Sequence, residues 1–287
     1  KKLDDFCNQT GFRKDNNRVW VNGFGRSTSQ KAVWANSKAI SSSSHVSEDE
    51  FNSPIENILK KFRDVLDKSQ KDAIIKSKGI EQTLKSIGFV SVDNSFIQNV
   101  DKQLQLSIVE KLEELERKFS AIQRSVSPKI SANLQRSSIA CVSHKTSNPS
   151  IQSLVLSPTK FKNKKRHISA RKKEVKKHYC MPCLRDKETL SVYVVTHEYG
   201  HMLENILIYE RSMVQNVTFD DIAKQIKDEI ILIAQGIDSN FNLQRNLSVY
   251  GTKNDKEFFA EVFANSQLGK PNVLGQAMLI WLQKEGF

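Results

Sequence analysis

Val192-Tyr193-Val194-Val195-Thr196-His197-Glu198-Tyr199-Gly200-His201-Met202-Leu203 is the stretch on which the reading of this chain turns. Apolar residues before and after the two histidines mark a helix set in a core, expected from about Thr189 to Glu210. Residues four apart on a helix share a face, so His197 and His201 can reach one ion. Glu198 sits beside them, where it can take a proton from a water and pass it on. With six histidines in 287 residues, such a match by chance is on the order of one in a hundred. The motif therefore points to a metal site, and zinc with an open coordination position suits it.

The third ligand is sought further along the chain. A glycine at 204 with a histidine at 207 would supply it from the same segment, but those positions hold Glu204 and Leu207. A carboxylate from a later helix is the other standard solution. In Asn254-Asp255-Lys256-Glu257-Phe258-Phe259-Ala260-Glu261-Val262-Phe263-Ala264, Glu257 and Glu261 share one helical face and the aromatics fill the others. Carboxylates on so buried a helix need a partner, which a metal or a metal-bound histidine supplies. Asn254 followed by Glu257 also fits a capping pattern, and the two roles are compatible.

Working outward, residues 1–52 read as a poorly ordered segment or the tail of a preceding domain, with the run Ser41-Ser42-Ser43-Ser44 and few apolar positions. Residues 53–86 read as a helical connector that starts at Ser53-Pro54. The main domain is expected over 87–287. Within it, Leu104, Ile108, Leu112, Leu115, Phe119 and Ile122 recur at helical spacing from Asp101 onward. The runs Ser138–Val142 and Ile151–Leu156 read as strands. A helix from Thr218 to Gln235, closed by Gly236, and two more from near Asn254 and Asn272 complete an α+β domain. It is mainly helical, with a small sheet flanking the motif helix.

The chain is 38% hydrophobic and carries a formal net charge of +12, with lysine dominant. Such a balance favours weak attraction to nucleic acid, anionic lipid or acidic protein. The basic run at 160–177 suits weak nucleic-acid contact, but its sparse aromatics equally suit a solvated loop and helix face. No stretch is long enough to span a membrane and no signal peptide opens the chain, which begins Lys1-Lys2 and so reads as a fragment or a processed product. Four cysteines form no disulfide framework, and a reducing compartment is expected. Cys180-Met181-Pro182-Cys183, with His178 before it, is at most half of a second metal site. His45, His144 and His167 lie in polar stretches and read as surface residues.

The segment Ser248–Phe263, which includes Tyr250-Gly251-Thr252-Lys253-Asn254, together with the motif helix, resembles the catalytic domain of anthrax lethal factor and its relatives. It is most similar to the zincin-like metallopeptidase domains, of the glutamate-zincin (gluzincin) type, attached to phage minor head or head-morphogenesis proteins. Arg18–Ser29 and Ile87–Asp93 also resemble those phage proteins. The resemblance spans about residues 87–287. It implies a Zn2+-dependent endopeptidase that hydrolyses a protein or peptide substrate through zinc-activated water. His197, His201 and Glu257 would be the metal ligands and Glu198 the general base. Tyr250 would stand over the metal and donate to the developing oxyanion, and Glu261 would orient a histidine. On spacing alone, Tyr250 also fits an ordinary packed aromatic. The strand near Ile151–Leu156 is where such enzymes pair an extended substrate with a sheet edge. Phage head or portal components, in the host cytoplasm or the virion, are the implied partners. A non-catalytic, zinc-containing structural or DNA-associated head protein is the alternative.

Overall fold

The computed structural model describes residues 79–135, 137–180 and 186–287, and two short strands nearer the start of the chain. Backbone contacts divide the chain into Lys1–Ser69 and Gln70–Phe287. In the first unit, strands β1 (Phe12–Lys14) and β2 (Trp20–Asn22) pair antiparallel, with Arg13 opposite Val21. Phe12, Trp20 and Val21 in these strands are strong strand formers; the rest of 1–52, expected as a poorly ordered segment or the tail of a preceding domain, lies outside the described residues. The helix expected from Ser53 and the residue Cys183 lie outside the described residues.

The second unit is mixed α and β. It opens with α1 (Ile80–Ser86), β3 (Ser91–Val92) and α2 (Asn94–Asn99). Leu84 of α1 lies in the same core as Ile87 and Phe89, so the end of the stretch expected as connector belongs to this unit. Helix α3 (Lys102–Phe119) starts where the Asp101 carboxylate accepts from the amides of Gln103 and Leu104. Its buried stripe is Leu104, Ile108, Leu112, Leu115 and Phe119, as the spacing demands. It ends at Phe119, short of Ile122, because Ser120 turns left-handed (φ 53°) and the side chain of Glu116 takes up the next amides. Glu116 accepts from Ile122 N–H at 3.0 Å and Gln123 N–H at 2.8 Å.

A four-stranded sheet follows, from β3, β4 (Lys129–Ser131), β5 (Ala140–Lys145) and β6 (Asn148–Leu156), in the order β3-β4-β6-β5. β3, β4 and β6 run parallel, and β5 is antiparallel to β6. The segment Ile151–Leu156, expected as the open edge, is therefore an inner strand, covered by β4 on one side and β5 on the other. The edge is β5. Length explains the exchange: β6 is long enough to support two partners, whereas β4, with the single apolar residue Ile130, carries no strand pattern. The inner face of β6 buries Gln152, Leu154 and Leu156. Gln152 ties the sheet to the motif helix, donating to Met202 O at 3.0 Å and accepting from Asn205 Nδ2 at 3.0 Å.

After α4 (Pro158–Phe161) and α5 (Lys164–Lys176) comes the motif helix α6 (Lys187–Gln215), longer than expected at both ends. Asp186 caps its start, and Asn216 closes it in the left-handed conformation that asparagine tolerates. α7 (Phe219–Ile237), α8 (Leu243–Asn246), α9 (Asp255–Gln267) and α10 (Val273–Lys284) pack around it. α7 continues one residue beyond Gly236, which was expected to close it. No helix among the described residues is long and apolar enough to cross a membrane.

Two contacts fix α6. The Tyr199 hydroxyl donates to Glu116 at 2.7 Å and accepts from Ala121 N–H at 3.1 Å, fastening α6 to the end of α3. Beside it, Gly200 lets α9 approach: a Cβ there would meet Ala260 Cα and Phe263 Cδ1, each at 3.1 Å. Glycine inside a helix costs about 1 kcal/mol relative to alanine, so its place here reflects the crossing. Replacing it by the branched Gly200→Val is expected to cost about 1–3 kcal/mol through overpacking. Thermal unfolding checks this, and an unchanged midpoint would contradict the close approach.

Candidate metal centre

The α6–α9 crossing brings three side chains to one point. The Nε2 atoms of His197 and His201 lie 3.1 and 3.3 Å from Glu257 Oε2, and these three donor atoms all fall within 4.8 Å of one another. Donors held at ~2.0–2.2 Å by a tetrahedrally bound ion stand about 3.3–3.6 Å apart, so the spacing is already close to that of a ligand set. His197, His201 and Glu257 can hold a metal ion. Among the described residues, no other group of histidine, cysteine, aspartate and glutamate converges in this way.

Each residue is placed by its own element. His197 and His201 are successive turns of one face of α6. Glu257 stands in the first turn of α9, where the Asn254 side chain accepts from its backbone N–H at 2.9 Å. Capping and ligation are thus divided: Asn254 caps, and the Glu257 carboxylate faces the histidines. One turn on, Glu261 is 1% exposed and fully engaged. It accepts from Tyr193 Oη and Ser248 Oγ, each at 2.6 Å, and stands 3.1 Å from His197 Nδ1. That puts a carboxylate beside Nδ1 and leaves Nε2 to face Glu257, the arrangement an orienting role needs.

His201 has a counterpart that the sequence reading passed over. Glu204 is wholly buried, its Oε2 is 3.8 Å from His201 Nδ1, and neither of its oxygens has a hydrogen bond. Burial, opposed by His201, pushes its carboxyl up to about 7. In the sequence, Glu204 stands where the pattern with a third histidine at 207 needs glycine. Its position three residues after His201, on the same face of a buried helix, is the signal that finds it.

Glu198 is 6% exposed and looks into the cleft rather than at the ligand group. Burial pushes its carboxyl up, the two histidines pull it down, and the backbone of Val142 on β5 hydrogen-bonds to it. That bond turns the Val142 amide outward, and strand alternation puts Ala140 and His144 on the same open edge. Tyr250 closes the cleft from the other side, its ring 5.6 Å from that of His197. Burial and then the Glu257 carboxylate raise its phenol, keeping it a proton donor. It is held by the segment before α6: Val249 and Tyr250 donate their amides to the carbonyls of His178 and Tyr179, at 3.0 and 3.1 Å. Lys253 Nζ lies 3.8 Å from the Tyr250 ring centroid.

The segment around Cys180 therefore frames Tyr250. Burial lifts the Cys180 thiol to about 12, which leaves it protonated and a poor ligand. His144 is on the exposed part of β5 and lines the cleft. His167, expected at the surface, is instead 2% exposed. It belongs to the inward face of α5 with Ile168, Arg171 and Val175, its ring 4.5 Å from that of Phe161.

Burial opposes charging His197 and His201, yet Glu257 and Glu261 lift the first to about 10, and Glu204 and Glu257 lift the second to about 9. Protons therefore compete with a metal for both rings throughout the neutral range, and loading displaces them. Metal affinity is expected to rise steeply from pH 6 to pH 8, up to about a hundredfold per pH unit where both rings must deprotonate. Titration with zinc against a chelator at each pH checks this, and a pH-independent affinity would contradict it. Glu261→Gln and Glu204→Gln are each expected to weaken binding about ten- to a hundredfold with the fold intact, read in the same titration.

Comparison with protein-family models, with curated proteins and with solved structures gives no match to this chain.

Proposed function

We propose that this chain is a zinc-dependent endopeptidase with a zincin-like domain of the gluzincin type. The observation that carries the proposal is a single geometry. A two-histidine, one-carboxylate group converges on one point, with an unligated glutamate beside it, at the floor of a cleft along an open strand edge. Imidazole and carboxylate donors with an open position suit zinc. When bound, zinc acidifies water and polarises a carbonyl.

The chain's own residues do the rest. The open edge of β5, at Ala140 and His144 on either side of the Val142 amide that Glu198 takes up, offers main-chain groups to an extended polypeptide, which binds by adding a strand. This is the edge that the resemblance assigned to Ile151–Leu156. The raised carboxyl of Glu198 accepts the proton of the attacking water and returns it to the leaving amide nitrogen. Tyr250, kept protonated, donates to the carbonyl oxygen as that oxygen gains charge. Glu261 stands at Nδ1 of His197, and Glu204 lies near enough to Nδ1 of His201 to accept from it once the ring turns to a metal. A purely structural metal site needs neither Glu198 nor Tyr250, and that favours catalysis over the structural reading.

The resemblance to the lethal factor-like domains of phage minor head proteins extends the proposal to the substrate's origin. It would be a protein of the phage head or portal or of the host, cut in the host cytoplasm or the virion. The exposed lysines of α5 suit a weak nucleic-acid contact that accompanies this chemistry.

Glu198→Gln is expected to keep a full complement of zinc and lose turnover on a peptide library. Tyr250→Phe is expected to lower kcat by about 10²–10³-fold with KM little changed. Metal analysis beside a cleavage assay separates these. Retained turnover in Glu198→Gln would sink the proposed role of that residue.

A further inference from the structure

The cleft continues past Glu198 and Tyr250 into a second cavity of about 470 Å³. It lies toward the start of β5, against Ser138 and Ile139, whereas the first cavity extends the other way, to His144. Its inner wall is Tyr193 and Val194, the turn of α6 just before His197, so it directly adjoins the metal-holding group. Its remaining wall carries charge of both signs. Lys160, Arg171 and Lys253 line it, and among the described residues Glu174 is its one carboxylate besides Glu198 and Glu261 of the metal centre.

Arg171 is the decisive residue. It is 5% exposed, and its Nε is a buried donor without a partner. One of its terminal nitrogens pairs with Glu174, one turn further along α5. A guanidinium carries five N–H donors in a fork that matches a carboxylate, and a buried donor left unmade is costly. Burial raises the Glu174 carboxyl, and Arg171 beside it pulls it down. Glu261 is occupied by Tyr193, Ser248 and His197. His167, one turn before Arg171, brings no negative charge. The cavity thus has room and an underused fork for one more carboxylate. Outside it, Lys172, Lys173, Lys176 and Lys177 on and after α5 are exposed and extend the same field into solvent.

Strand polarity says which part of a substrate arrives there. Antiparallel pairing is the more stable arrangement, and β5 itself pairs that way with β6. A polypeptide antiparallel to β5 enters at the His144 end and leaves at the Ser138 end. The residues after the scissile bond therefore run into the second cavity, while those before it pass Asp220 and Asp255 in the first.

Resting on the peptidase reading above, we infer that this cavity is a subsite for an acidic side chain, with Arg171 pairing the carboxylate of the substrate residue that follows the scissile bond. The preferred substrates are accordingly polypeptides with glutamate or aspartate at that position.

The test uses zinc-loaded protein and three succinyl hydroxamates that differ only in the side chain placed beyond the metal-binding group: carboxyethyl, isobutyl or aminobutyl. Binding is measured by calorimetry, with no turnover required. The carboxyethyl compound is expected to bind about ten- to a hundredfold tighter than the isobutyl one, and the aminobutyl compound weakest. Arg171→Met should abolish the preference while isobutyl binding persists. Lys160→Met, at an exposed position, should reduce it in part, and it serves if Arg171→Met does not fold. If all three bind alike, or the isobutyl compound binds tightest, the acidic subsite is overturned while the metal centre stands. If none binds, both readings fall together. A peptide-library digest that places the acidic preference before the cut would overturn the strand direction.

Discussion

Everything at the centre depends on how closely α6 and α9 cross. The ligand group is divided between them, two imidazoles on one helix and a carboxylate on the other, and helices in ordinary contact stand about 8–10 Å apart. Gly200 removes the side chain that would hold the axes apart, and Ala260 meets it with the smallest side chain available. Phe259 and Phe263 then pack along the seam, their rings 6.3 Å apart. Tyr199, the neighbour of Gly200 within the motif, stacks on Phe263 with ring centroids 6.1 Å apart, and its hydroxyl fastens α6 to the end of α3. The residues between the two histidines thus carry the packing that makes the histidines useful.

The same crossing concentrates negative charge. Glu198, Glu204, Glu257 and Glu261 gather around two histidines, and all but Glu257 are almost wholly buried. Buried carboxylates are costly unless a compensating charge lies among them. The directions in which these groups titrate express that stress: Glu198 and Glu204 are pushed up, while Glu257 is pulled down by the imidazoles, which themselves become strong bases. A divalent cation at the shared focus of His197, His201 and Glu257 relieves all of these at once. The four acids make sense as the surroundings of one ion.

Legibility followed periodicity. The motif helix, the amphipathic α3 and the capped α7 were readable because each repeats one pattern over several turns. His197 and His201 were readable as one helical face, and Glu257 and Glu261 as another; Glu198 came with the motif, and the division of roles between the two later acids came from the resemblance. Strand order was not, since Ile130 and its two neighbours carry no strand signal, yet they take one side of β6 and leave β5 as the edge. Glu204 is marked only by its spacing, three residues after His201 on a buried helix. Arg171 and His167 were hidden in a lysine-rich run whose composition resembles a solvated face, while their four-residue spacing turns both inward.

The most direct measurement is X-ray absorption at the zinc edge on the zinc-loaded chain, which reads the atoms bound to the ion. A first shell of two imidazole nitrogens with oxygen, all at ~2.0–2.2 Å and without sulfur, is the result this account predicts. A sulfur shell at ~2.3 Å would place the ion on the cysteines and contradict it.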